Sequence, residues 1–164
     1  MEEQELSVEH LHDIVHEHAD QASWAEKVAL TTAILAMFAA GSNLASSYQS
    51  DQAILFRIEA SDQWAYYQAK SIKGMVTPEA AERERYKREQ EGIREDAERL
   101  SHQSHHSHRV HEFFAYAVTL FQVTTAIGAI AVLVRRKYFW YSSILLGFGG
   151  VGLILKAVAV LHSR

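Results

Sequence analysis

The sequence predicts an all-α membrane protein with three transmembrane helices and a long extramembrane antiparallel helical hairpin between the first and second. Three observations predict it. Apolar residues are gathered into blocks long enough to cross a bilayer, and charged residues are concentrated between the first two blocks. That charged stretch also carries heptad-like spacing on both sides of one helix-breaking run. The chain averages, 48% hydrophobic and 22% charged over 164 residues, resemble a soluble protein, but they hide this segregation. Any one block could be a buried core helix. Three in so short a chain leave too few residues to cover them in water.

Residues 1–23 form a His-rich start in which Leu11, Ile14, Val15 and Ala22 mark one face of a short amphipathic helix that Ser7 is placed to cap. Its acids, with no Lys or Arg before Ser23, differ from the basic start of a secretory signal. The first apolar block is therefore read as a retained span, residues 24–48. The same acidity disfavours adsorption to anionic lipid and favours packing against the bundle or a second subunit. Between Val28 and Ser47 there is no charge, and at helical rise this stretch covers roughly 30 Å, the hydrocarbon thickness. Its Ala, Gly, Ser, Thr and Asn43 suit a helix packed on other helices.

The second span, residues 113–134, is more apolar and is interrupted by Gln122 and a few threonines. A basic turn follows, Arg135, Arg136 and Lys137, then the aromatic cluster Tyr138 to Tyr141 of the kind found at headgroup level. The third span is residues 138–159, with a tail at 160–164. Lys156 lies in its last turns, where its stem can carry the ammonium to the interface.

Residues 49–112 hold the hairpin, with its turn near 74–79, where Gly74 to Pro78 breaks the helix. On the first arm Leu55, Ile58, Asp62, Ala65, Ala69, Ile72 and Val76 recur at alternating steps of three and four. On the second, Tyr86, Gln90, Ile93, Ala97, Leu100, Ser104, Ser107, His111 and Phe114 do the same. Both stripes are read as seams of a coiled coil reaching roughly 40 to 50 Å from the membrane. Asp62, Gln90, Ser104, Ser107 and His111 make the pairing poor, so another chain is expected to share the burial. Trp64, Tyr66 and Tyr67 lie partly off the seam and are candidates for an interface between subunits; the plainer alternative is that they wrap the hairpin's own side.

Histidine is the other conspicuous residue. His12 and His16, or His102 and His106, share a helical face and could each give two imidazoles to zinc, nickel or copper, with Glu98 or Glu112 adding a carboxylate. Two ligands are not a site, and a solvated polar or pH-responsive face is the bland reading. In the spans, Asn43 and Gln122 should each face another helix or a water-filled path. Gly147, Gly149, Gly150 and Gly152 permit close helix approach and an interface there. No nucleophile with a base, phosphate-cradling loop or embedded acid pair can be assembled, so no enzyme, cofactor or small-molecule substrate is expected. The chain has no cysteine, and its net charge of −4 gives no reason to expect nucleic acid.

The run SDQWAYYQAKSIK, Ser61 to Lys73, set after an alanine-rich first span and before a charged region and two closing spans, resembles an uncharacterised bacterial membrane-protein family known only as a domain of unknown function. The resemblance takes in the acidic start and the basic turn between the last two spans. It implies a bacterial inner membrane and three spans, and supplies no catalytic residues. The histidine clusters fall outside the family's pattern.

Arg135, Arg136 and Lys137 sit in a short loop, where the positive-inside rule has most force, and place it in the cytoplasm. The N-terminus is then cytoplasmic and the hairpin periplasmic. Arg57, Arg109 and the other basic residues of the hairpin favour the inverse, but that connection is longer than the loops to which the rule best applies. The expected function is a non-enzymatic interaction protein of the inner membrane, a homo-oligomer or a subunit of a larger membrane complex. The alternatives are an oligomeric channel and a His-mediated metal sensor.

Overall fold

The computed structural model describes residues 2–163, with side chains at 12, 13, 19 and 22–163. The described residues form three helices and no strand: α1 is Glu2–Val76, α2 is Ala80–Val134 and α3 is Lys137–His162. Each contains a segment long and apolar enough to cross a membrane. The first helix runs without interruption through residues expected to hold a separate N-terminal helix, because no proline occurs before Pro78 and nothing between them breaks the ladder. Ser7 therefore lies inside α1 instead of capping it.

Pro78, with no N–H to donate, ends α1, and the Thr77 N–H and hydroxyl close its last turn on the Lys73 carbonyl at 3.1 and 2.7 Å. Between α2 and α3 the chain reverses through Arg135, which has a positive φ of 55°. The Arg135 N–H donates to Val132 O at 3.3 Å and the Arg136 N–H to Ala131 O at 3.2 Å, the two bonds of a Schellman stop. That motif usually takes glycine, so the basic turn carries some backbone strain.

The chain divides into two compact units, Met1–Gly41 with Tyr116–Gly152, and Ser42–Ala115 with Leu153–Arg164. The first is a three-helix arrangement around Phe121, which is fully buried and stacks on Phe38 with ring centroids 5.8 Å apart. Small residues bring its helices close. A Cβ on Gly128 would lie 2.6 Å from Thr32 Cγ2, one on Gly147 2.8 Å from Leu35 Cδ2, and one on Gly150 2.8 Å from the Phe121 ring. The Trp140 indole N–H donates to Thr31 Oγ1 at 3.0 Å and ties the start of α3 to α1.

In the second unit α1 and α2 lie antiparallel, for Ser46 meets His111, Ala53 meets Ser104 and Lys70 meets Glu89. The α2 seam is the expected one: Ile93, Ala97, Leu100, Ser107 and Phe114 are buried, and Tyr86, Gln90, Ser104 and His111 half-buried. The α1 seam is a correction. Leu55, Ile58, Asp62, Ala65, Ala69, Ile72 and Val76 are all exposed. The residues that face α2 are Ser46, Gln49, Ala53 and Ala60, with Gln63, Tyr67, Lys70 and Gly74 half-buried beyond them. This second register also alternates by three and four but is displaced by two residues, about 200° around the helix. Small side chains on α1 admit the bulk supplied by α2, and the Ser104 hydroxyl reaches the backbone carbonyl of Ala53 at 2.8 Å, which large residues on that face would prevent.

Candidate functional site

The histidine-rich part of α2 lies in the second unit, and two of its imidazoles, those of His106 and His111, are spent on cross-helix contacts. Carbonyls only accept, so the His111 Nδ1–H donates to Ser46 O at 2.9 Å, with Ser46 Oγ 3.0 Å from the same nitrogen. The Ser46 hydroxyl in turn points to His111 O at 3.4 Å. On another flank the His106 Nε2–H donates at 3.0 Å to Val160 O, a carbonyl near the end of α3 that also accepts from the Ser163 N–H and hydroxyl. A small apolar cluster, Val110, Phe114 and Ala157, packs beside it. These histidines act here as interhelical ties.

His102 and His106 line one groove of about 470 Å³ with Arg99 and Arg109, and His106 has already committed Nε2. Among the described residues no group of three or more His, Asp or Glu side chains is placed to hold a metal ion. His12 lies on α1 with an exposed side chain, and the side chain of His16 lies outside the described residues.

The larger groove runs between residues 50–64 of α1 and 101–108 of α2, with a volume of about 800 Å³. Its chargeable lining is Arg57, His105 and His108, and Trp64 forms part of its wall. Ser101 and Ser104 commit their hydroxyl protons to Ala97 O and Ala53 O, both at 2.8 Å. The groove's lining falls on one face of each helix, residues 50, 53, 54, 57, 60, 61 and 64 of α1 and 101, 104, 105 and 108 of α2, but these residues are mostly small or polar, so hydrophobic periodicity does not mark them.

The aromatic candidates separate. Trp64 and Tyr67 are half-buried and meet edge to face with centroids 5.7 Å apart, wrapping the arm's own side. Tyr66 is exposed, and the Lys70 ammonium stands 5.3 Å from its ring centroid and equally far from that of Tyr86. Lys70 also pairs with Glu89. That hydrogen bond, seconded by one with Tyr66, raises the lysine above its ordinary pKa, and the same bond holds the Glu89 carboxyl below the usual carboxylate range.

Gly147 and Gly150 face α1 and α2 of their own chain, so the close approach expected of them is made inside the subunit, whereas a Cβ on Gly152 would meet nothing within 4 Å. Gly149 is intermediate, 3.2 Å from Leu120 Cδ2. Asn43 and Gln122 are exposed on the chain, with no covering helix of their own. The hydroxyls of Thr124 and Ser143, which are buried, instead satisfy themselves on Phe121 O at 2.7 Å and Trp140 O at 2.8 Å.

What remains unpartnered is a stripe. Leu44, Tyr48, Leu55, Ile58, Ile72 and Val76 are exposed along one face of α1, Leu44 and Val76 each to 74%. Asp51 and Asp62 complete its three-and-four spacing. Exposed apolar surface of this length on a rigid helix is the mark of an interaction face.

No curated protein and no solved structure matches the chain. A family model described as Domain of unknown function (DUF4337) matches residues 24–84 and again residues 77–160. Those two matches together run from residue 24 within α1 through the turn at Pro78 to residue 160 within α3, and the chain belongs to that family of unknown function.

Proposed function

We propose that this chain is a non-enzymatic, three-span protein of the bacterial inner membrane that self-associates along the outer face of α1 and presents its paired arms as a docking stalk. The exposed stripe from Leu44 to Val76 carries the reading. It starts in the uncharged stretch of α1 and continues well into the charged region, so whatever covers it must be a helix that passes from oil to water at the same level. A second copy of α1 is such a helix, with the same spacing of knobs. The N-terminus is cytoplasmic and the arms periplasmic on this reading, with Arg135, Arg136 and Lys137 on the cytoplasmic side.

Mass determination in native nanodiscs tests it. A dimer or small ring that dissociates in Ile58→Asp supports the proposal, and a strict monomer sinks it. Orientation is checked with Glu91→Cys in a chain that has no other cysteine: labelling of intact cells by an impermeant thiol reagent is expected, and labelling only after permeabilisation reverses the assignment.

The exposed amides Asn43 and Gln122 favour one second reading, an oligomeric channel lined by the first two spans. Lipid does not satisfy an amide, so each needs a neighbouring subunit or a wet path. Ion flux into liposomes that disappears in Gln122→Leu would select the channel, and its absence at any applied potential would leave the interaction protein.

A further inference from the structure

The groove between the arms has a chemistry of its own. In a chain with 20 acidic residues, among the described residues lining it there is no Asp or Glu. Arg57 enters it without any ion pair among the described residues, in contrast with Arg85, Arg94 and Arg99, each of which is held by a carboxylate on its own helix. His105 stands beside it with no hydrogen bond among the described residues, and His108 has Glu112 at 3.7 Å. Ser50, Ser61 and the Trp64 indole complete a set of donors facing about 800 Å³ of open space. A guanidinium and two imidazoles on groove walls that carry no carboxylate among the described lining, with Glu112 beside His108 outside it, form the donor set of an oxyanion site.

We propose that this groove binds a phosphate-bearing anion, with Arg57 as the anchoring cation, His105 and His108 donating to the remaining oxygens, and Trp64 packing against the attached organic group. Arginine presents its N–H groups as a planar fork that matches two phosphate oxygens at once, and the imidazoles one turn of α2 apart can reach the others. The flanking groove repeats the composition with Arg99, His102, His106 and Arg109 and no acid among its described lining, and since Arg99 is held by Asp96 and His106 by Val160 O, His102 and Arg109 are the groups it leaves to an anion. Phosphate can come from two sources. Ser50 lies three residues beyond the uncharged stretch of α1 and His108 five residues before Phe113, about 5 to 8 Å at helical rise, which is the depth of lipid headgroups if the spans are placed as proposed above. A soluble phosphomonoester is the other source, and for it the placement of the spans is irrelevant. Neither source requires the self-association of α1.

The full chain in dodecyl maltoside is titrated with glycerol 3-phosphate in one arm and with phosphatidylglycerol in mixed micelles in the other, followed by phosphorus NMR line width. Saturable binding in either arm is expected, with affinity falling about tenfold or more in Arg57→Gln, as for loss of a charge-assisted pair, and unchanged in Arg88→Gln, an exposed arginine outside the groove. His105→Gln should weaken binding less, and it serves as the test should Arg57→Gln lose its helical circular dichroism. Glycerol phosphate that competes with the lipid identifies a soluble ligand, and saturation by phosphatidylglycerol with no effect of glycerol phosphate identifies the headgroup. Absence of saturation in both arms overturns the proposal, as does an equal loss in Arg88→Gln. Both readouts are repeated in Ile58→Asp, so that failure of self-association and failure of the anion site are told apart.

Discussion

The two arms of the second unit are both heptad helices, yet one hides its large apolar residues and the other displays them. On α2 the stripe from Tyr86 to Phe114 is the surface that packs. On α1 two registers coexist on nearly opposite faces: a small and polar one, from Ser46 through Ala53 and Ala60, is covered by α2, while the larger one is left outside. Bulk on one helix is accommodated by its absence on the other, which is how helices approach closely. The difference shows that a stripe marks a surface to be covered without saying by whom.

The sharpest way to break this contrast is to remove equal bulk from both arms. Leu100, 8% exposed, and Ile58, 53% exposed, lie on α2 and α1. Leu100→Ala is expected to cost about 2 to 5 kcal/mol, since it leaves a cavity between the arms. Ile58→Ala should cost about 0.5 kcal/mol or less in monomeric protein, where it leaves only water-facing surface. Apparent melting in detergent, under conditions where the chain is monomeric, measures both. Equal losses would mean that the large stripe of α1 is buried within its own chain.

Much of this organisation was legible. The three apolar blocks, the break at Pro78 and the α2 seam follow from composition and spacing, because bilayer thickness, the missing proline N–H and helical periodicity act on the local sequence. The choice between the two registers of α1 was not legible, because hydrophobicity selected the larger stripe, whereas packing selected Ser46, Gln49, Ala53 and Ala60, residues that no apolar count would rank. The groove escaped for a related reason. Arg57 and His105 come from different helices, and the exclusion of carboxylates from their surroundings exists only once the arms are paired.

A second perturbation sharpens the account of the exposed stripe through Asp62. On the proposed self-association copies in one membrane would run parallel, so that Asp51 and Asp62 of one α1 would face their counterparts on the next and like charges at seam positions would hold the association weak. Asp62→Leu should therefore tighten self-association by about 1 kcal/mol or more, seen as a lower dissociation constant by fluorescence transfer between labelled copies in liposomes. An unchanged constant would place Asp62 away from the interface between copies.

Glycines in the first unit supply the next contrast, between a face that is packed and one that is open. Gly150→Ala sets a methyl 2.8 Å from the buried Phe121 ring, which has no room to yield, and is expected to cost about 1 to 3 kcal/mol. Gly152→Ala, with nothing within 4 Å, should stabilise α3 slightly, by up to about 1 kcal/mol, through helix propensity. Melting of the two variants side by side checks the order, and a neutral Gly150→Ala would show that Phe121 repacks.

The smallest expected effect is electrostatic and sits near the tip of the arms, where Lys70 joins them by pairing with Glu89. The hydrogen bond between them raises Lys70 and lowers Glu89 relative to their ordinary values. A carboxyl whose folded value is depressed contributes stability above its unfolded pKa and loses it as pH falls through the folded one; a lysine whose value is raised contributes below its unfolded pKa and loses it as pH rises through the folded one. The pair should therefore support the tip across the neutral range and fail at both extremes, on the acid side below the usual carboxylate range and on the alkaline side above 10.5. Both groups reach solvent, so screening by salt keeps the effect small. Hydrogen exchange of the amides in residues 70–76 and 80–90 is the suitable probe, because local opening of the tip reports a change that global melting would not resolve. Exchange is expected to quicken at acid pH in the native chain beyond its intrinsic pH dependence, and to be already quickened with only the intrinsic pH dependence left in Glu89→Gln; an identical profile in both would show that the paired charges contribute nothing to holding the tip closed.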